Sequence, residues 1–339
     1  MASIRTLFLA ALAAIAGMIG SGEAHAQAIA QGKPIRIIVG FAAGGAADIV
    51  TRVLAAKLGD SLGQNVIVEN RTGGGGNIAT EAVARAEPDV VVHQMTALAG
   101  FADLKRFDRG FARTNELRTH GTDNLLAAAD AVGVRRFVAQ SFTGWPNERS
   151  GGPVKTEDDP LEPNLPAHQR ESLEAIRYLE RAVVDAPPVG LVLRYGSLYG
   201  PGTNVADEFA ELIHRRKFPL VGDGGGIWSF VHADDAAAAT ALAVEQGDRG
   251  VYDVVDDDPA PVAEWLPYLA EVLGAPRPRR VPVWLARFAI GEVGVEMMTR
   301  IRGSSNAKAK RELGFEPIWP SWREGFRDGL LDRALRPAA

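Results

Sequence analysis

Strand-like and helix-like segments alternate along most of this chain of 339 residues, and this alternation constrains its fold more than any other feature. After a strand-like run that ends at His93, helical periodicity covers 117–132 and 171–184, and apolar strand-like runs cover 136–140 and 190–194. Helices that separate strands at this spacing require the strands to run parallel. The sequence therefore predicts an α/β fold with a doubly wound parallel sheet.

The first 88 residues carry their own strand–turn–helix order. We expect residues 33–40 to form a strand that enters a glycine-rich turn containing Gly44 and Gly45, and 65–69 to form a second strand. A short helix over 77–86 follows. Because glycine permits the tight turns that join strands to helices, this segment predicts two further strand–helix units.

The N-terminus predicts an export signal. Arg5 provides a positive charge, residues 7–20 are apolar, and Ala24-His25-Ala26 has the small-x-small pattern that signal peptidase recognises. An apolar run of about 14 residues is shorter than the roughly 20 that span a bilayer. We expect cleavage after Ala26 and a periplasmic or secreted location, with a buried N-terminal helix as the alternative.

Composition excludes several classes of function. A net charge of −5 gives no electrostatic reason to bind nucleic acid or an anionic membrane. Without cysteine, the chain has no disulfide, no thiolate catalyst and no cysteine-ligated metal. Asp234 and Asp235 precede an alanine run and indicate a helix start rather than a metal cluster. We predict a small-molecule substrate, no metal site, no nucleic-acid partner and no membrane association after signal cleavage.

The first segment, KPIRIIVGFAAGGAADIVTRVLAAKLGDSLGQNVIVENRTGGGG, resembles the tripartite tricarboxylate transporter receptor family. Members are periplasmic binding proteins for carboxylated metabolites. The resemblance implies that backbone N–H groups of the Gly44-Gly45 turn face a ligand carboxylate. Only about a quarter of such a receptor is present, so no closing cleft is expected.

From Asp89 to about Leu331 the chain resembles a different family, the extended short-chain dehydrogenase/reductases, which are NAD-dependent epimerase/dehydratases. The resemblance is carried by DVVVHQMTALAG, NELRTHGTDNLLAAADAVGVRRFVAQS, LRYGSLYGPG and FPLVGDGGGIWSFVHADDAAAA. It implies a Rossmann-like sheet, NAD or NADP as cofactor, and a sugar-nucleotide or small carbonyl substrate. It leaves a homodimer open, and it implies a cytoplasmic location as the alternative to export.

The two resemblances combine into one predicted sheet. The receptor-like segment would supply strands 1 and 2, Val90 to His93 would act as strand 4 beside strand 1, and edge strand 3 would be missing. The expected divisions are a signal peptide over 1–26, a receptor-like segment over 27–88, the rest of the Rossmann-like domain over 89–200, and a small α/β substrate domain over 201–339. Residues 230–256 would return to the first domain.

Cofactor contacts follow from the same resemblance. The turn at Gly40, Gly44 and Gly45 would approach the pyrophosphate, although it misses the Gly-x-x-Gly-x-x-Gly spacing, and Glu69 would bind the ribose. The remaining candidates are the loop at Thr96 and Ala97 and the strand end at Tyr195 and Gly196.

The catalytic residues depart from the family pattern of a tyrosine four residues before a lysine. None of the five tyrosines has a lysine at that spacing. One alignment of the helix places Ser172 and Ile176 at these positions, and another places Pro166 and Arg170 there. Ser141 or Thr143, at the end of the fifth strand, would be the hydroxyl donor.

The predicted function is an NAD(P)-binding epimerase/dehydratase- or reductase-like oxidoreductase with impaired cofactor binding and catalysis. The alternatives are a periplasmic carboxylate-binding receptor-type protein and a non-functional fusion.

Overall fold

The structure is a computed structural model that describes residues 35–40, 63–73, 77–96, 104–203 and 205–330, with isolated positions between 43 and 59. The expected signal peptide, the Gly44-Gly45 turn and Ala97 lie outside the described residues.

The elements are numbered here over the described residues. The strands are β1 (Ile35–Val39), β2 (Val66–Asn70), β3 (Val90–His93), β4 (Arg136–Phe142), β5 (Val154–Lys155), β6 (Val189–Tyr195), β7 (Ser197–Tyr199), β8 (Leu220–Val221), β9 (Ile227–Trp228), β10 (Phe230–His232), β11 (Gly250–Val254), β12 (Ala260–Pro261), β13 (Arg280–Val281) and β14 (Gly303–Ser304). The helices are α1 (Asn77–Arg85), α2 (Phe107–Glu116), α3 (Thr122–Ala131), α4 (Arg170–Asp185), α5 (Ala210–His214), α6 (Ala233–Glu245), α7 (Val262–Val272), α8 (Val283–Thr299), α9 (Ala307–Leu313) and α10 (Trp322–Gly329). Short 3₁₀ turns cover Leu104–Arg106 and Ala167–Gln169, and π-helical turns cover Leu117–Gly121 and Val205–Phe209.

A four-stranded parallel sheet in the order β11–β6–β4–β3 forms the centre of the protein. On one face, Val138, Leu191 and Leu193 belong to a cluster with residues of α6 and α9. On the other face, Ala139 and Val192 belong to a cluster with residues of α3 and α4. Because both faces are covered, the strands are almost uniformly apolar, as parallel sheets require. The predicted Rossmann-like α/β fold is confirmed.

Strands β1 and β2 form a separate parallel pair, with Ile35 beside Val66. No hydrogen-bonded ladder joins β1 to β3 within the described residues, so the prediction of one continuous sheet is wrong in this detail. Helix α1 provides the attachment instead, because it contacts both β1 and α3 and its Val83 packs on the cluster that contains Val91. Between β2 and β3 the described residues hold only α1, in agreement with a missing third strand.

The segment after β6 forms an aromatic core beside the sheet. Trp265 of α7, Phe230 of β10 and Phe326 of α10 are almost fully buried, and Phe230 contacts the other two rings edge to face. Such ring pairs add to the free energy gained by burying their large apolar surfaces. Helix α6 begins at Ala233, which agrees with the predicted helix start, and Asp235 accepts backbone hydrogen bonds from Ile318 and Trp319.

No helix in the part of the chain that the structure describes has both the length and the apolar character needed to cross a bilayer.

Candidate active site

Polar side chains form a row across the carboxyl-terminal ends of the central strands. Ser141 of β4 lies beside Arg194 of β6, which lies beside Asp253 of β11. Register partners in a parallel sheet point to the same face, so all three side chains point toward α4. His93, in register with Ala139, ends β3 on that face. Ligands of open α/β sheets bind outside the carboxyl ends of the strands, so this row lies under the expected site.

Glu180 of α4 binds two members of the row. The Arg194 guanidinium donates to both Glu180 carboxylate oxygens, at 2.8 and 2.6 Å. The Ser141 hydroxyl donates to Glu180 Oε1 at 2.7 Å. Both charged side chains are only 8% exposed. This ion pair is therefore bidentate and buried, which makes its geometry specific and its rupture costly.

Asp253 ends the row with an unusual carboxyl group. Burial raises the pKa of Asp253 to about 8, against the lowering effect of Arg194. Its Oδ1 has no hydrogen-bond partner, and its backbone amide donates to Glu157 Oε1 at 2.7 Å. The Asp253 carboxyl is consequently protonated at neutral pH.

Thr143 closes a ring of three hydrogen bonds. Its hydroxyl donates to Asn147 Oδ1 at 3.1 Å, Asn147 Nδ2 donates to Ser304 Oγ at 2.9 Å, and the Ser304 and Thr143 hydroxyls lie 2.5 Å apart. All three residues are buried. The ring joins the loop after β4 to β14, and it therefore positions the C-terminal region over the sheet.

The two candidate hydroxyl donors thus have their protons engaged. Ser141 has one O–H, which binds Glu180, and the O–H of Thr143 points to Asn147. Either residue must break a buried hydrogen bond before it can donate to a substrate. Their catalytic role stays a prediction.

The positions that the family gives to tyrosine and lysine are apolar or structural. Ser172 is fully buried and donates its hydroxyl to Asp108 Oδ1 at 2.6 Å, while Ile176 is also fully buried. In the other alignment Pro166 precedes α4, and the exposed Arg170 donates to the Leu165 carbonyl at 3.4 Å. Neither pair places a lysine next to a phenol, so neither can transfer a proton in the way the family does.

The described cofactor candidates divide into two groups. Gly40 follows β1 in a bend, and Glu69 is the penultimate residue of β2. Both Glu69 carboxylate oxygens accept hydrogen bonds from Arg36 (2.7 and 2.9 Å), and one also accepts from Arg71 (3.2 Å). The hydrogen bond from Arg36 is the main cause that lowers the pKa of Glu69. The predicted contacts of Gly40 with the pyrophosphate and of Glu69 with the ribose stay predictions, and a ribose hydroxyl would have to share the Glu69 carboxylate with Arg36 and Arg71.

Tyr195 and Gly196 have structural contacts instead. The Tyr195 hydroxyl lies 2.6 Å from Thr240 Oγ1 and accepts from Gln94 Nε2 at 3.1 Å, and burial raises its pKa. A Cβ on Gly196 would lie 2.7 Å from the Ser229 carbonyl oxygen. Their predicted contact with the nicotinamide remains untested.

Sequence reasoning missed the charged members of the buried row. Arg194 and Asp253 interrupt strands that are otherwise apolar, and this exception was the available signal. It also missed Arg118 in the π-helical turn, where burial lowers its pKa to about 10, and His93, where burial lowers the pKa to about 4. His93 is therefore a neutral imidazole at neutral pH.

Curated relatives fall into two sets. A protein of Streptomyces sp., 3-diazoavenalumate denitrifying reductase, is 45% identical over 252 residues, which cover 72% of this chain and 81% of that protein. The 2-alkyl-3-oxoalkanoate reductase of Stenotrophomonas maltophilia is 26% identical over 214 residues, covering 60% of this chain and 64% of that protein. Protein BugT of Bordetella pertussis is 53% identical over only 57 residues, covering 17% of this chain and 18% of that protein.

Solved structures share the fold. UDP-glucose 4-epimerase of Thermotoga maritima, determined with UDP-glucose, superposes with a TM-score of 0.65 at 23% identity, covering 88% of this chain and 97% of that chain. A human epimerase family protein determined with NADPH gives a TM-score of 0.68 at 16% identity, covering 87% and 99%.

A family model also matches the chain directly. It covers residues 67–255, more than half of the chain, and it begins earlier and ends earlier than the stretch from Asp89 to about Leu331 on which the sequence resemblance was based. The family's cofactor is NAD or NADP, and its activities are those of epimerases, dehydratases and reductases. The chain belongs to the NAD dependent epimerase/dehydratase family.

Proposed function

We propose that this protein is an NAD(P)H-dependent reductase that replaces the diazo group of a small aromatic acid by hydrogen. The 45% identical relative is named a denitrifying reductase of a diazo-bearing carboxylate, which suggests the substrate class. Aryl diazonium ions persist in water, whereas alkyl diazonium ions lose nitrogen unaided, so an enzyme substrate of this kind is aromatic.

The observation that carries the proposal is that neither alignment of α4 supplies a proton-transfer pair, because Ser172 and Ile176 are fully buried in one and Pro166 and Arg170 stand in the other. Reduction of a carbonyl creates an alkoxide, which needs a proton from a nearby acid. Reduction of an aryl diazonium ion needs no such proton. The cation and a hydride react to give the arene and N₂, so atoms and charge balance without a proton. A reductase for this reaction has no need of a tyrosine and lysine pair.

The reduced nicotinamide supplies the hydride. On the protein's side, the buried row of Ser141, Arg194 and Asp253 holds the strand ends fixed, and the ring at Thr143 holds the substrate region over them. Positioning of the reacting atoms can account for several powers of ten in rate, even where no side chain exchanges a proton.

The charged side chains around Glu69 favour binding of NADPH over NADH. Arg36 and Arg71 flank Glu69, so the three side chains together carry one net positive charge. A 2′-phosphate would gain from this charge, whereas the ribose hydroxyl of NADH would compete with two arginines for the Glu69 carboxylate. We expect NADPH to bind more tightly, and Arg71→Gln to remove most of the difference in a titration of both nucleotides.

Isotope transfer tests the reaction. Incubation of the protein with an aryl diazonium carboxylate and NADPH deuterated at the transferable carbon should release N₂ and place deuterium on the ring carbon. The same reaction with unlabelled NADPH in D₂O should leave that carbon free of deuterium. Solvent deuterium at this position, or oxidation of NADPH only with carbonyl substrates, refutes the proposal.

The receptor-like origin of residues 27–88 and the signal peptide remain proposals, and impaired cofactor binding is the alternative to the reductase. Sequencing the N-terminus of exported protein tests cleavage after Ala26. Failure to bind either nucleotide would favour the non-functional fusion, and saturable binding of tricarboxylates by the Gly44-Gly45 turn would favour the receptor.

A further inference from the structure

A cleft of about 390 Å³ lies between the loop that follows β4 and the C-terminal end of α8. It is lined by Glu148, Arg149, Glu162, Asn164, Glu296 and Arg300. The loop leaves the carboxyl end of β4, and Asn147 in the Thr143 ring immediately precedes Glu148. The cleft therefore adjoins the edge of the sheet at which ligands of this fold bind.

Arg149 lines this cleft and has hydrogen-bond donors without a partner. Its side chain is 10% exposed, and its Nη1 donates to the Asn147 carbonyl at 2.5 Å. Its Nε and Nη2 have no hydrogen-bond partner, although both are buried. These two nitrogens lie on one edge of the guanidinium, which is the edge that binds a carboxylate with two parallel hydrogen bonds. A buried donor without a partner is costly, so this edge is suited to an acceptor from outside the chain.

The acidic neighbours of Arg149 do not fill this role. Glu296 Oε2 is 3.6 Å from Arg149 Nη2, and Glu296 Oε1 is 3.6 Å from Arg300 Nη1, so one carboxylate is shared loosely between two cations. Glu162 accepts the backbone N–H groups of Arg149 and Asn164 with its two oxygens. The charges of Arg149 and Arg300 are balanced by those of Glu296 and Glu162, and Glu148 in the same lining lies 3.7 Å from Lys155 Nζ.

These acids restrict the ligand. The lining has no excess of positive charge, so a phosphate dianion would be repelled by Glu296 and Glu162 more strongly than an anion of single charge. The two parallel donors of Arg149 match two equivalent oxygens at one end of a planar group. A monocarboxylate meets both conditions.

We propose that this cleft binds the carboxylate of the substrate through the Nε and Nη2 atoms of Arg149, which makes Arg149 a specificity-determining residue. The inference rests on the proposed function only in assigning the carboxylate to the substrate of the reductase. Binding of the carboxylate itself requires neither cofactor nor turnover.

Calorimetric titration of the cofactor-free protein tests the site, with benzoate as the probe and with benzamide and inorganic phosphate as comparisons. Benzoate should bind saturably and the other two should not. Arg149→Lys keeps the charge but loses the second parallel donor, and it should weaken benzoate binding about tenfold. Glu296→Gln removes the competing carboxylate and should strengthen binding. Arg311→Gln, exposed on α9 and paired with Glu312, is the matched control and should change nothing.

Equal affinity of wild type and Arg149→Lys overturns the proposal, as does benzamide or phosphate binding as well as benzoate. Thermal unfolding shows whether Arg149→Lys is folded. If it is not, Glu296→Gln provides the test, and benzoate binding by that variant that is unchanged or weaker than in the wild type contradicts the site. If benzoate binds as expected but no deuterium is transferred, the proposed reaction is refuted and the carboxylate site stands. If deuterium is transferred but benzoate does not bind, the reaction stands and the carboxylate site is refuted.

Discussion

Glu180→Gln should lower the free energy of unfolding by about 3–5 kcal/mol, because it leaves Arg194 buried without a counter-charge. Glu180 accepts two hydrogen bonds from Arg194 and one from Ser141, all between 2.6 and 2.8 Å, and both charged side chains are 8% exposed. Glutamine keeps one carbonyl oxygen, which can still accept from Ser141 or Arg194. We therefore expect the lower end of the range, about 3 kcal/mol.

A second substitution separates the lost ion pair from other effects of the change. Arg194→Met added to Glu180→Gln removes the unpaired charge, so the double variant should lose clearly less than the sum of the two single variants. Asp253, the register partner of Arg194, should take over part of the pairing once Glu180 is neutral. The cost of Glu180→Gln should therefore shrink as pH rises and Asp253 ionises.

Urea unfolding followed by tryptophan fluorescence and far-ultraviolet circular dichroism measures these differences. Glu174→Gln on the same helix is the matched control, because Glu174 pairs with Arg177 at the surface and is 64% exposed. Exposed pairs of this kind contribute about 0.2–1 kcal/mol. If Glu180→Gln costs no more than Glu174→Gln, the buried pair does not stabilise the sheet as we infer.

Three further predictions concern the same region. Burial raises the pKa of Asp253 from 3.8 to about 8, so this group favours the folded state when it is protonated. Its contribution to the free energy of unfolding therefore falls as pH rises from about 4 to 8. Asp253→Asn should flatten this part of a plot of melting temperature against pH, and an unchanged slope would contradict the prediction. Gly190→Ala would place a Cβ 1.9 Å from the Val183 carbonyl oxygen and should cost about 1–3 kcal/mol or more in urea unfolding, while Gly152→Ala, whose nearest contact is 3.7 Å, should be neutral. Ser304→Ala opens the hydrogen-bond ring and should cost about 1–3 kcal/mol, and a loss as small as that of the Gly152 control would show that the ring is not structural.

Helices and strands of the central sheet were largely predictable from the sequence. The predicted helix over 171–184 is α4 (Arg170–Asp185), and the predicted strand over 190–194 is β6 (Val189–Tyr195). Helix α2 was missed, because Gly110 and the polar residues around it weaken an apolar pattern whose buried face rests on Phe107. Tertiary packing of that one large ring stabilises a helix that local propensity does not indicate.

The arrangement of the candidate site was much less predictable. Ser141 was identified as a hydroxyl at a strand end, but its partner Glu180 is 39 residues away and on another element. Arg149 is separated from Glu296 by a still longer stretch of chain, and nothing local marks either residue as part of a cleft. Contacts of this kind depend on which faces of distant elements meet, and local periodicity does not encode them.

The sequence by itself determined the class of fold, since alternating strands and helices at this spacing must build a parallel sheet, and it showed that the tyrosine and lysine pair is missing. Only the tertiary structure decided that β1 and β2 stand apart from the central sheet, and that Ser141 and Thr143 have their protons engaged. The physical reason is the distance along the chain over which each kind of interaction acts. Backbone periodicity is set by neighbours along the chain, whereas hydrogen-bond partners, burial and the pKa of a carboxyl such as Asp253 are set by residues that are distant along the chain and close in space.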